Sequence, residues 1–371
     1  MARLHDPKPG IPLAVRGLNV EYSFWPTTKT KRWTLQRRLY VKDPWAILFE
    51  AVYRHKPKLP KNRVDECLSY LGQAEEYFNA AAQVARIDVK PVLLYYSLMN
   101  LAKCLIAVRN PALDMSRARH GLSAKPKGRA VLGDRISVKK SATNVNVFDE
   151  LMKATEGHGA SLTDLEVRDL LAQVVPGHRL WTYARHATEK FLAISHIECY
   201  TDTVARSAWL RLKFNRAKIR YVTPSMRSML RSSHLPGSWQ QANSPDGHMV
   251  LFEQATPLHY AHRPVDSLDD LFRGLRSAVW CTVTSSPPHR KYYLLVDPKL
   301  GAKRLPQWAS MYVLFFYFSD LTRYRPQHFD RFLESKYGPQ VECILDECPR
   351  QFLYLMASEL LKREVTPAAI V

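Results

Sequence analysis

The chain has 371 residues, 46% apolar and 24% charged, which is ordinary for a soluble globular protein and long enough for more than one domain. Its 54 Lys and Arg against 34 Asp and Glu leave a formal charge of +20, which points to an anionic partner, or in the plainer reading to solubility, and says nothing of the fold. The six cysteines are too sparse for a disulfide scaffold, and Cys343 and Cys348 form a lone C-x4-C with no second Cys/His pair, so no metal site and no cofactor is expected.

No apolar leader followed by small residues opens the sequence, and the longest apolar run, Met311 to Phe318, falls far short of the roughly 20 residues that span a bilayer. A soluble cytoplasmic protein with no membrane partner is the expectation.

Four stretches follow in chain order. Residues 1–60 form a basic segment rich in aromatics (Trp25, Trp33, Trp45), with a short helix expected in "PWAILFEAVYRHK". Residues 61–125 start a helical core. Apolar groups at Val64, Cys67, Leu68, Leu71, Ala74, Tyr77, Phe78 and Ala81 mark one face of an amphipathic helix with Asn62 as its cap. After the turn "ARIDVK", Pro91 opens a second helix, "PVLLYYSLMNLAKCLIAVRN", apolar on most sides and therefore central. The short link predicts an antiparallel pair.

Residues 126–304 read as an α+β insertion. "RAVLGDRISVKK", "NVNVF", "TVARSAWLRLKF", "HMVLFEQAT", "AVWCTVTSS" and "KYYLLVDP" are expected strands, and "TDLEVRDLLAQVVP" an expected helix. Residues 305–371 return to helices that complete the core: "PQWASMYVLFFYFSDLTRY", then "PQHFDRFLESK", then one or two more around Pro349. The fold class is α+β, mainly α.

Three groups of residues can carry chemistry. Arg323 and His328 stand at R-x4-H spacing, which in an unbroken helix would set them about 140° apart. Pro326 forces the preceding residues out of helix, so that an arginine at one helix end and a histidine at the start of the next can face one corner. Such a pair suits metal-free phosphodiester cleavage, the guanidinium stabilising an anionic phosphorus centre and the imidazole passing a proton. The plainer reading is helix capping, or ion pairs of Arg323 and Arg325 with Asp320 and Asp330.

The second group is the acid-free run from Arg206 to Arg231, where Trp209, Arg211 and Lys213 alternate onto one strand face, either to stack a base and hold phosphates or as a plain solvated face. The third is "RARHGL", in which His120 is a turn histidine or part of a basic pocket with Arg117 and Arg119 that could also hold a small anion. No Walker, dinucleotide-binding or nucleophile-elbow motif is present.

The blocks "KPVLLYYSLMNLAKCLI", "RHGL" and "YVLFFYFSDLTRYRP" resemble the bacterial YaaC-like proteins from about residue 45 onward. The helix pair, with "YFNAAA" followed by "LLYYSLMNLAKCLI" and "HGL", is also similar to the HEPN superfamily of helical domains, many of them metal-independent ribonucleases of toxin–antitoxin and phage-defence systems. That resemblance implies a HEPN-like helical bundle with an inserted α/β region, an R-x4-6-H motif falling on Arg323 and His328 as catalytic residues, and a site composed across a homodimer. Tyr324 stands where that superfamily carries a polar residue. The expected nucleic-acid contacts, RNA first, are Tyr324, Arg325, Arg331, Trp209, Arg211, Lys213, Arg117, Arg119 and His120. The alternative is a non-catalytic scaffold with a protein partner, as in a defence system, or a sensor of an anionic ligand.

Overall fold

The computed structural model describes residues 4–15, 17–26, 38–128, 130–139, 141–161, 163–219, 233, 235, 238–297 and 299–368. With 48% helix and 21% strand the protein is α+β, mainly α. The chain forms two compact units, one from residues 40–187 and 303–361, the other from 1–39, 188–302 and 362–371. The residues expected to form one insertion at 126–304 are therefore shared: 126–187 stay with the helices and 188–302 belong to the second unit.

The helical unit begins with α1 (Pro44–His55), capped by the Asp43 carboxylate accepting from the Trp45 amide. In α2 (Lys61–Gln83) Pro60 takes the cap position, so Asn62 lies in the first turn and does not cap. Helix α3 (Lys90–Arg109) carries Pro91 in its first turn, where a missing N–H costs nothing. Leu94, Leu98, Leu101, Cys104 and Leu105 are buried on α3, and so are Ser97, Asn100 and Ala102 on its other sides. A helix buried almost all round must sit in the middle of a core. Helix α3 packs along α2 and against α4 (Val147–Glu156), α7 (Gln307–Tyr324) and α9 (Gly338–Leu361). The Ser97 hydroxyl donates to the Ala74 carbonyl of α2 at 2.7 Å, which satisfies a polar group in that core.

Two short helices, α5 (Val167–Leu171) and α6 (His178–Arg185), and α8 (Pro326–Glu334) complete the unit. Helix α7 stops at Tyr324, Arg325 leaves helical geometry with φ −145° and ψ 53°, and Pro326 opens α8, as the proline requires. Helix α9 runs through Pro349 without a break. Two expectations change. "NVNVF" gives only a two-residue strand and then α4, because the Asn146 side chain accepts from the Asp149 amide at 2.9 Å and caps a helix. "TDLEVRDLL" starts as strand, Leu165–Glu166 pairing beside Arg135–Val138, and only then turns helical as α5.

The second unit is built on antiparallel strands: β1 (Ile11–Pro12), β2 (Phe191–Ile194), β3 (His196–Asp202), β4 (Ser207–Asn215), β5 (Trp239–Ala242), β6 (Met249–Gln254), β7 (Val279–Val283) and β8 (Arg290–Leu295). One sheet has the order β1-β3-β4-β6-β5, and a smaller one β2-β8-β7. Leu210, Leu212 and Phe214 of β4 and Val250 and Phe252 of β6 pack with the helix Leu268–Arg276 as the core.

The opposite face of β4 is not open. Trp209 is 1% exposed and Arg211 7%. The N-terminal segment lies over them: Arg211 donates to the Lys8 carbonyl, and a Cβ on Gly10 would come within 2.4 Å of the Trp209 ring. Arg211 lies 3.8 Å over the Tyr200 ring and pairs at 3.2 Å with the fully buried Glu253, while Lys213 bonds Glu198 at 2.7 Å. The stacking platform expected of Trp209, Arg211 and Lys213 is thus an internal ion-pair layer. Trp33, Arg220, Arg227 and Arg231 lie outside the described residues.

Glu253 is the anion that Arg211 and Lys8 share. Glu253→Ala should therefore destabilise the protein by about 3–5 kcal/mol, the cost of leaving a buried cation unpaired, measured by urea unfolding.

Candidate functional site

The stripe Tyr312, Phe316, Ser319 and Arg323 repeats at helical spacing along one face of α7. Its first members are core, Tyr312 and Phe316 being 0% and 2% exposed, whereas Arg323 emerges at the helix end and is exposed. Tyr95 of α3 packs edge-on against both Tyr312 and Phe316, each with ring centroids 5.7 Å apart. From the loop after α3, His120 stacks on Phe316 with centroids 5.2 Å apart and planes 28° from parallel. All three blocks that carry the YaaC-like resemblance, the "YY" helix, "RHGL" and the "RYRP" helix, therefore meet at this point.

The turn that delivers His120 is fixed locally. Gly121 has φ +78°, and a Cβ there would fall 1.7 Å from the Asn146 side-chain oxygen. Asn146 donates to the Gly121 and Lys139 carbonyls at 3.1 and 3.0 Å while it caps α4. The His120 Nδ1 accepts from the Leu122 amide at 3.2 Å. In the neutral ring this places the proton on Nε2, which is then a donor.

The charge around His120 is positive. Burial and then the Arg323 guanidinium, with Lys139 and Arg119 behind them, push its pKa below the ordinary imidazole value. Lys103 is pushed down in the same way, by burial and then by Arg119. Arg323 donates from Nε to the Ser319 carbonyl at 3.2 Å, and its guanidinium lies 5.0 Å from the centre of the Tyr324 ring, itself 69% exposed. Beneath them the Ser319 hydroxyl is buried without a partner, and the Tyr95 and Tyr312 hydroxyls lie against each other without a hydrogen bond of normal geometry.

The other expected residues fall differently. His328 is half-buried in the first turn of α8, and its backbone amide donates to the Arg325 carbonyl. No hydrogen bond joins Arg323 and His328 among the described residues, whereas the Arg323 charge reaches His120 and lowers its pKa. Arg325 pairs with Asp134 at 2.8 Å, and Asp134 is 0% exposed and also accepts from the Tyr317 hydroxyl at 2.8 Å. Arg325 is thus a structural cation, and it meets Asp134 in place of the expected Asp320 or Asp330. Arg331 is exposed on α8, Arg117 is exposed beside Asp114, and Arg119 is exposed next to His120. Lys103, Lys139, Tyr95 and Ser319 were not singled out by sequence. The doublet Tyr95-Tyr96 was the visible signal for the first of these aromatics. Among the described residues no group of three or more His, Cys, Asp or Glu side chains is placed to hold a metal ion.

The arrangement is a cationic, aromatic-floored surface on a mainly helical unit, suited to holding an anion that carries planar groups. A family model described as YaaC-like Protein matches residues 24–360, and the chain belongs to that family. No curated protein and no solved structure matches it. Helix α3 is, among the described residues, the one helix long and apolar enough to cross a membrane, and 72% of that apolar window is buried inside the protein.

The two neighbouring arginines should separate in stability measurements. Arg325→Ala should cost about 3 kcal/mol by leaving the Asp134 charge buried and unpaired, whereas Arg323→Ala should stay within about 0.5 kcal/mol, both read from denaturant midpoints.

Proposed function

We propose that the helical unit binds single-stranded RNA, with phosphate held by Arg323 and His120 and a base stacked on Tyr324. The observation that carries this reading is the stacking of His120 on Phe316, on the α7 stripe that ends in Arg323, where the charges of Arg323, Lys139 and Arg119 all act on His120 and that of Arg119 on Lys103. Guanidinium and imidazole N–H groups are matched to phosphate oxygens, and an exposed tyrosine beside an arginine is a usual platform for an unpaired base. The resemblance of the helix-pair sequence to HEPN domains favours the same ligand.

Binding is favoured over cleavage by the histidine itself. With Nδ1 engaged by the Leu122 amide, the neutral ring offers Nε2–H, which donates to phosphate but cannot abstract a 2′-hydroxyl proton. A base would have to break that hydrogen bond first.

Fluorescence anisotropy with a short unstructured RNA tests the reading. Arg323→Ala and His120→Ala should each weaken binding about 10-fold, as should Tyr324→Ala, while His328→Ala should not. Affinity should fall steeply with salt. It should also tighten as pH drops. Burial and the neighbouring cations lower the His120 pKa in the free protein and a bound phosphate raises it, so binding draws a proton onto Nδ1, which then releases the Leu122 amide. That pH dependence should vanish in His120→Gln. Unchanged binding in both Arg323→Ala and His120→Ala would overturn the proposal.

A further inference from the structure

The sheet unit contains a cleft that the RNA reading does not use. Its volume is about 500 Å³, within the range that accepts a nucleotide-sized ligand. The cleft arises from a gap in strand pairing. Strands β2 and β3 are two halves of one bent strand meeting at Ser195, whose amide donates to the Lys213 carbonyl of β4 at 2.8 Å. Residues Phe191 to Ile194 pair with β8, and Tyr200 and Thr201 pair with β1, with a single bridge from Glu21 to Glu198. Between them His196 and Ile197 pair only with β4, and both line the cleft.

Three kinds of group converge there. The first is cationic: His196, Lys218 and Lys291 line the cleft, all are exposed, and among the described residues none of them makes an ion pair. Arg38, by contrast, is already neutralised, at 3.1 Å from Glu21 and 2.9 Å from Glu364. The second is polar and unmet. Glu198 accepts at Oε1 from Lys213, but its Oε2 is buried with no hydrogen-bond partner among the described residues. A buried acceptor left unpaired costs free energy that a ligand with N–H groups would recover. The third is aromatic: the Tyr22 and Tyr292 rings meet edge-on with centroids 5.1 Å apart and form one wall.

Cations at the rim call for an anion, a buried carboxylate oxygen calls for N–H donors, and an aromatic wall calls for a flat ring. We propose that this cleft binds a nucleoside monophosphate, its phosphate at Lys218, Lys291 and His196, its base N–H groups on Glu198 and its ring against the Tyr22 and Tyr292 wall. The inference is independent of the RNA reading, since none of these residues belongs to the helical unit.

Calorimetric titration of the full chain with the ribonucleoside monophosphates, their nucleosides and inorganic phosphate tests it. At least one monophosphate should bind at micromolar to low-millimolar Kd, with its nucleoside and phosphate each about 10-fold weaker or more. Lys218→Ala with Lys291→Ala, two exposed positions whose loss leaves the fold intact by circular dichroism, should weaken the nucleotide at least about 10-fold. Glu198→Gln should weaken the nucleotide and leave phosphate affinity unchanged. Phosphate binding as tightly as every monophosphate would overturn base recognition. Absence of binding at millimolar nucleotide, or full affinity in the double lysine variant, would overturn the site. Loss of nucleotide binding in Arg323→Ala with retention in the cleft variants would place the ligand in the helical unit and end the proposal, whatever the outcome with RNA.

Discussion

Burial of α3 is the constraint on which the helical unit depends. A twenty-residue helix that is apolar on nearly every side cannot be covered by one neighbour, so α2, α4, α7 and α9 all pack on it. Covering its first turns sets Tyr95 against Tyr312 and Phe316 of α7. Once α7 is held there, its next exposed residue on the same stripe is Arg323. The candidate site is therefore a by-product of core packing: the aromatic floor is the last layer of the core, and the cations stand where that layer reaches water.

Much of this was legible in the sequence. The steps of three and four from Val64 to Ala81 locate α2, the all-round apolarity of "LLYYSLMNLAKCLI" announces a central helix, and Pro326 marks the boundary between α7 and α8. What the sequence could not supply was the partner across space. Arg323 and His328 stand five positions apart in the chain, but the histidine that the Arg323 charge acts on is His120, some two hundred positions earlier and brought in by a loop whose shape rests on Gly121 and Asn146. The alternation on β4 was likewise clear, and it gave the strand; it could not say that the N-terminal segment would cover the polar face and turn Arg211 into a buried ion-pair member.

The net charge of +20 is a poor guide to where an anion would land. Arg325, Arg211, Lys213 and Arg38 are all held by carboxylates, two of which, those of Asp134 and Glu253, are fully buried. These pairs set structure. Arg119 and Lys139 beside His120, and Lys218 and Lys291 at the cleft, are exposed cations with no carboxylate partner among the described residues. Location, more than number, separates the two groups.

The helical unit is assembled from two stretches of chain with residues 188–302 between them. During synthesis α2 and α3 leave the ribosome long before α7, so the most apolar helix of the protein must wait for much of its cover, and Tyr95 and His120 for the floor they rest on. Closing so long an intervening loop costs little more entropy than closing one half its length, about 0.6 kcal/mol per doubling, so the delay is one of time more than of stability. Arg323 and His120 come together only after about seven-eighths of the chain has been made. A nascent chain thus carries most of its positive charge early but assembles the cluster around His120 and Arg323 late.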